Sequence, residues 1–447
     1  MRFQIREIEL LERDVRFRMP FRFGVVTLTA APQAFVRARI RLDSGKEAEG
    51  AAAELLVPKW FDKNPALSNE ENLEQLRNSL RAARERYLAN GARTAWAHSS
   101  PATGLVENYG PALLDRALLD ALGRGMGLSF YDLVNKNLIG AESYEGIDLP
   151  GFFSKLDPMK TIAARHTVGL VDPITAADQK ERVGDGLPET LEEVVARYGH
   201  RWFKLKVGDD AKADIDRLCA IASVLDGIPG PYHASLDGNE QYDDIEGVAA
   251  LWSGIKAEPR LNRLVESIVF IEQPVKRHKA FERKIADIGK PVIIDESDDS
   301  LEAFPRAKAS GYQGVSSKTC KGIYKSLINC ARCEAWNRKL GSDPTFFMTG
   351  EDLTIQAGIA LQQDLALVSL LGLTHVERNG HHYVNGMAEL PPGEQDAFLA
   401  GHPDLYERSH GAVRVRIANG ELSIGSLDCA GLASRAMPKW DAMRRMQ

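Results

Sequence analysis

The residues of this 447-residue chain that could do chemistry are lysines and carboxylates at the ends of short apolar runs. Lys204 and Lys206 alternate with Phe203, Leu205 and Val207, a period of two that reads as a β-strand carrying both ammonium groups on one face. Downstream, the runs 233–237, 268–272 and 292–296 each end in acid, and 315–318 ends in another lysine. Any single strand-end carboxylate is usually a loop or cap residue. Three at successive strand ends are harder to dismiss, because ionised carboxylates meeting at one point repel unless a cation lies between them. An all-oxygen set without histidine or thiolate favours Mg²⁺, which keeps positions open for water or an anionic substrate. Asp237, Glu272 and Asp295 are the expected ligands. Glu296 points to the opposite strand face from Asp295, so only one of these two can join the cluster directly. A metal beside a substrate carboxylate stabilises the charge that develops when the α-proton leaves. Lys206 and Lys318 are the acid/base candidates, and Lys204 is the ammonium beside Lys206. A second cation lowers an amine's pKa and carboxylates raise it, so the sequence leaves the net direction open.

These residues need elements that bring them together. Each interval between the charged strand ends is long enough for one helix and two loops, and strands alternating with helices imply a parallel sheet. In a closed (β/α) barrel all strand C-termini gather at one mouth. The expected fold is α/β, a modified TIM (β/α) barrel with an N-terminal α+β capping domain. The capping domain takes residues 1–140, the barrel 141–390, and a C-terminal segment, 391–447, returns to the capping domain. Strand one is placed at 167–170, the lysine strand second, strands three to five before Asp237, Glu272 and Asp295, and the sixth before Lys318. Strands seven and eight fall at 346–349 and 373–376. On strands two and six of eight, Lys206 and Lys318 would face each other across the mouth and address opposite faces of a bound substrate.

The N-terminal part reads as a separate sheet with helices. Residues 35–42 alternate apolar with arginine, turn at Asp43-Ser44-Gly45 and return through 47–53. Helical patterns follow near 70–89 and over 112–122. Gly123, Gly125 and Gly127 follow a helix rather than a strand, so they are not a dinucleotide-binding turn. The apolar segments 20–27 and 55–60 either pack inside this domain or form a lid over a neighbouring site. Near the C-terminus, Asn419-Gly420 between 413–417 and 422–424 predicts a type I′ hairpin.

Composition bounds the function. Apolar residues at 44% and charged residues at 26% describe a globular chain with ample core. A net charge of −6 with scattered basic residues offers nothing to nucleic acid. No secretory signal is read at the N-terminus, and Gln362, Gln363 and Asp364 interrupt the longest apolar stretch, so no membrane segment is expected and the protein is placed in the cytoplasm. Five cysteines fit reduced thiols. Cys330 and Cys333 share a helix face and Cys219 belongs to an apolar stripe, so packing is the expected role.

Taken together, the motifs resemble the enolase superfamily, in its muconate lactonizing enzyme-like group (the mandelate racemase/muconate lactonizing enzyme family). The resemblance rests on Pro20-Phe21-Arg22-Phe23-Gly24, Lys204-Leu205-Lys206, Asp237-Gly238-Asn239, Glu272-Gln273-Pro274, Asp295-Glu296-Ser297 and Lys318 with Lys321-Gly322. It implies that Lys206 and Lys318 are the acid/base pair, that Asp237, Glu272 and Asp295 bind Mg²⁺, and that the two apolar N-terminal loops form the substrate lid. The chain departs from the mandelate racemase-like pattern, which places a His after strand seven, where Thr349-Gly350-Glu351-Asp352 stands. It departs from the dipeptide epimerases at strand eight, where Glu377-Arg378-Asn379 replaces an Asp-x-Asp. His381 and His382 follow, where exposed loop histidines are commonly bystanders. The expected activity is Mg²⁺-dependent removal of the proton α to a carboxylate through an enolate, leading to racemisation, epimerisation or cycloisomerisation. A small-molecule carboxylate is the expected partner and a homo-oligomer the expected assembly. The competing readings are β-elimination from a hydroxy acid or acid sugar, and a metal- and carboxylate-binding protein without turnover.

Overall fold

The computed structural model describes residues 1–24, 26–285, 288–341 and 344–446. Its N-terminal part is an antiparallel sheet of three long strands, Arg2–Phe23, Val26–Leu42 and Glu47–Leu55, in the order written. The turn at Asp43-Ser44-Gly45 sets Arg41 opposite Glu47. Helix Asn69–Leu88 starts on a reciprocal cap, in which Ser68 accepts from the Glu71 amide and Glu71 from the Ser68 amide. Helix Leu105–Met126 is buried on nearly every side, since it lies between the sheet and the first helix. Gly50 permits that contact, because a Cβ there would lie 2.2 Å from the Ala121 amide nitrogen.

The second unit is a closed barrel. Among the described residues its parallel strands number eight, Thr161–Val168, Trp202–Lys206, His233–Asp237, Ile268–Glu272, Val292–Ile294, Gly314–Ser317, Phe347–Gly350 and His375–Arg378. They pair in sequence order, and strand eight closes on strand one through His375 opposite Ala163 and Arg378 opposite His166. Two expected positions shift. Strand one begins at Thr161 rather than Thr167, and strand eight ends at Arg378 rather than Val376, which places Glu377 inside the strand.

The Asn419-Gly420 turn is present, with φ of 52° and 77° and Ala418 bridged to Glu421, but its arms do not pair with each other as expected. Strand Ala412–Val415 pairs instead with Tyr406–Ser409 across His410-Gly411, another two-residue turn with both φ positive. Strand Glu421–Ser423 adds antiparallel to residues 161–163 of barrel strand one. Strand two pairs with strand one only from Arg165 onward, so this segment covers backbone groups that would otherwise be unpaired. The chain then returns to the N-terminal sheet, where Arg444 and Arg445 pair with Glu12 and Leu11. No described helix is long and apolar enough to cross a membrane, and the five cysteines are free thiols.

Candidate active site

Strand two delivers both lysines as its alternation requires. Phe203 and Leu205 are fully buried in the layer outside the barrel, while Lys204 and Lys206 point inwards. Asp237 is the ladder partner of Lys206, and Glu272 is the ladder partner of Asp237. The register thus sets base candidate and carboxylates side by side at the C-terminal mouth.

The two lysines have different surroundings. Lys204 Nζ lies at the centre of four carboxylates, 3.0 Å from Asp237, 2.8 Å from Glu272, 2.8 Å from Glu351 and 2.9 Å from Glu377. Burial alone would lower its pKa, but these carboxylates outweigh burial and hold it well above an ordinary lysine. Lys206 Nζ lies nearer the opening, 2.6 Å from Asp237 Oδ2 and 2.7 Å from Asn239 Oδ1. Across the mouth, Lys318 Nζ is 2.7 Å from Asp295 Oδ2 and 4.3 Å from the centre of the Trp60 ring. Burial opposes its charge, yet Asp295 raises its pKa.

Asp295 and Glu296 separate as their strand faces require. Asp295 accepts from Ser316 Oγ, Lys318 and Lys321, inside the cluster. Glu296 takes Asn239 Nδ2 at 3.2 Å and Lys63 at 3.4 Å, on the side of the capping domain. Gln273 orders this strand end, since its Oε1 accepts from the amides of Asp295 and Ser297 at 2.8 and 3.0 Å.

The carboxylates Glu351 and Glu377, which complete the cage around Lys204, were not among the expected site residues, and neither was Arg165. Arg165 is fully buried, pairs with Glu351 from strand one and donates to the Gly350 carbonyl at 3.0 Å. Thr167 donates to Glu377 at 2.6 Å, and Glu377 in turn accepts from the Asp352 amide at 2.9 Å. The detectable signal was the alternation of Arg165 with Thr167, which a strand beginning at Thr161 turns inwards. His381 and His382 are not exposed loop residues. His382 is 3% exposed, and both pack against His166 outside the barrel.

Asp237, Glu272 and Asp295 form a donor set that fits a hard divalent cation. Burial raises the pKa of Glu272 well above the usual range, and the charges of Asp237, Glu351 and Asp295 raise it further. Its Oε2 is buried without a hydrogen-bond partner, and Lys204 lies within ion-pair distance of it but not in hydrogen-bonding geometry. The negative charge concentrated around Glu272 and its unpartnered carboxylate oxygen are what a bound cation would relieve.

Both apolar N-terminal segments reach this mouth. Phe21, Phe23, Val57 and Trp60 line one small cavity with Lys206 and Lys318. Phe21 stacks on Tyr383 with ring centres 4.2 Å apart, and Arg277 holds the carbonyls of Trp60 and Phe61 at 2.8 Å each.

Residues 186–394 match the family model described as enolase C-terminal domain-like. No curated protein matches the chain. Among solved structures, the L-Ala-D/L-Glu epimerase from Bacillus subtilis is similar at a TM-score of 0.61 and 17% identity, covering 97% of this chain and 99% of that one. The muconate lactonizing enzyme from Mucobacterium smegmatis gives 0.62 and 16% identity over 99% and 100%. A dipeptide epimerase from Cytophaga hutchinsonii, complexed with Mg and the dipeptide D-Ala-L-Val, gives 0.63 and 15% identity over 100% and 99%. The segment 186–394 is thus similar to the enolase C-terminal domain-like family, and the chain as a whole shares the overall fold of these solved structures.

Proposed function

We propose that this protein is an enzyme that moves the proton α to a substrate carboxylate, with Lys206 and Lys318 as the two acid/base residues. The observation that carries this reading is that both ammonium groups line one cavity from strands on opposite sides of the barrel, under an apolar cover. A flat carbanion between them is open to each lysine on a different face. One lysine, as the free amine, takes the α-proton, and the other, as the ammonium, gives a proton to the opposite face. The product is the stereoisomer of the substrate, with no change in formula.

Asp237, Glu272 and Asp295 are proposed to hold Mg²⁺, which when bound supplies the positive charge that stabilises the enolate form of the substrate carboxylate. Asp237 and Asp295 are also the partners of Lys206 and Lys318. The same carboxylates therefore orient both lysines towards the position where the substrate carboxylate must sit. Lys204, enclosed by four carboxylates and 1% exposed, is proposed as a fixed counter-charge that positions the ligand set rather than as a base. The cover formed by Phe21, Phe23, Val57 and Trp60 favours a substrate with an apolar group next to the reacting carbon and excludes water from it.

The test is proton NMR in D₂O with Mg²⁺, screening α-substituted carboxylates for loss of the α-proton signal. Unaltered protein exchanges the proton of both enantiomers, whereas Lys206→Ala and Lys318→Ala each retain exchange with only one enantiomer or lose it entirely. Exchange of both enantiomers that survives in either variant defeats the assignment. Loss of water from the substrate redirects the reading to elimination.

A further inference from the structure

A cluster of histidines lies outside the barrel, where strand one meets strands two and eight. Arg165 and Thr167 point inwards to Glu351 and Glu377, so His166 between them points outwards. His200 stands just before strand two, and His381 lies on the short helix Gly380–Tyr383 that follows strand eight. Ring centres are 5.3 Å apart for His166 and His200, 5.4 Å for His166 and His381, and 5.5 Å for His200 and His381. One nitrogen from each ring lies within 4.8 Å of the others.

These nitrogens lack partners. His166 is 1% and His200 0% exposed, yet His166 Nδ1, His200 Nε2 and both ring nitrogens of His381 make no hydrogen bond. A buried polar atom left unpaired costs about 1–3 kcal/mol, and here several converge on one point. The His200 tautomer is set from outside, because its Nδ1 donates to the Ala164 carbonyl at 2.9 Å and so leaves the bare Nε2 facing the cluster. Burial holds all three imidazoles below their ordinary pKa, His200 at about 4, so they are neutral and able to bind a metal.

We propose that His166, His200 and His381 form a transition-metal site, suited to Zn²⁺ and separate from the carboxylate mouth. Three imidazoles suit Zn²⁺ and its neighbours rather than Mg²⁺ and leave a fourth position open. Bonding to one ion would need each nitrogen about 2.0–2.1 Å from it, so the nitrogens, now within 4.8 Å of one another, would have to turn inwards on binding. Of the cations nearby, Arg18 and Arg378 are neutralised by acids, while Arg414 is held by neutral acceptors, the Ser409 and His410 carbonyls and Asn385 Oδ1. Arg18 is paired with Asp185 at 2.6 Å, and Arg378 with Asp364 and Asp352. A small cavity lined by Tyr198, Arg378 and Arg414 reaches His381, the partly exposed member of the set, and provides the way in. A bound ion would tie barrel strand one to the helix carrying Tyr383, the residue on which Phe21 of the lid stacks.

The test uses the whole chain, stripped with a chelator and then kept in saturating Mg²⁺. It is titrated with Zn²⁺ by calorimetry and with Co²⁺ by visible absorption. One Zn²⁺ per chain, a Co²⁺ spectrum of nitrogen ligation at low coordination number, and a higher Tm with Zn²⁺ are expected. His381→Ala should weaken Zn²⁺ binding by about 100-fold or more, while Asp237→Asn keeps the stoichiometry. No Zn²⁺ binding in the presence of Mg²⁺, or a Zn²⁺ site unchanged by His381→Ala, overturns the proposal. Should His381→Ala fail to fold, the Co²⁺ spectrum of the unaltered chain decides, and an octahedral oxygen-type spectrum overturns it.

Discussion

Lys206 and Asp237 are joined twice, as ladder partners between strands two and three and through an ion pair of 2.6 Å. The proposed base is therefore oriented by a proposed metal ligand, and one substitution should disturb both. Asp237→Asn keeps an oxygen able to accept from the Asn239 amide, a contact of 2.9 Å, so the strand end should stay folded. Mg²⁺ affinity should fall by about 100-fold or more and α-proton exchange should vanish. Calorimetric titration of Mg²⁺ beside the D₂O exchange assay checks both, and unchanged affinity would remove Asp237 from the ligand set.

Lys204 offers a contrasting case, because its ammonium is the common partner of Asp237, Glu272, Glu351 and Glu377. Lys204→Met removes that charge and leaves the carboxylates buried together, a loss expected to cost about 3–5 kcal/mol. A cation bound by Asp237 and Glu272 replaces part of the missing charge, so added Mg²⁺ should restore more stability to the variant than to the unaltered protein. Urea unfolding with and without Mg²⁺ measures the difference. Equal effects on the two proteins would exclude Lys204 as the counter-charge of the cage.

The contrast between these lysines also shows what a sequence discloses. Alternation placed Lys204 and Lys206 on one strand face, and the acids that close successive apolar runs pointed to a mouth, because both follow from local periodicity. The identity of the partners of Lys204 did not follow. Glu377 reaches it because strand eight runs to Arg378, two residues past the end of its apolar run, and Glu351 because it directly follows strand seven, which ends at Gly350; element ends are set by pairing rather than by composition. The Asn419-Gly420 turn was legible because left-handed φ values need such residues. Its outgoing arm pairs with strand one because residues 161–163 extend beyond strand two, a fact of barrel stagger. The packing of His381 was hidden for the same reason, since His166 and His200 come from distant elements.

Trp60 tests the lid. Its ring lies 4.3 Å from Lys318 Nζ and lines the cavity shared by both lysines. Trp60→Ala removes a cation–π contact of about 0.5–2 kcal/mol and opens the site to water. Substrate affinity and exchange on the face served by Lys318 should both fall, about 10-fold or more, with Mg²⁺ affinity unchanged. Kinetics with each enantiomer, run beside the Mg²⁺ titration, distinguish this outcome from general loss of structure, which would lower all three quantities together.

His402 provides a test of acid stability remote from the site. Its Nε2 accepts from the Arg435 amide at 3.0 Å, so Nδ1 carries the proton and donates to Ser426 Oγ at 2.9 Å. Protonation would place a second donor against that amide. Burial first, then the charges of Arg435 and Arg124, lower its pKa to about 4, with Asp404 acting the other way. An unfolded histidine titrates near 6.5, so between these values the unfolded chain binds more protons than the folded one. Stability is therefore complete above about pH 6.5 and is lost as pH falls towards 4, by about 2–3 kcal/mol from this residue at the lower limit. His402→Gln, whose amide oxygen can still accept from Arg435, should remove that share of the pH dependence. Urea midpoints of both proteins at pH 7 and pH 5 measure it, and parallel losses would place the acid sensitivity elsewhere.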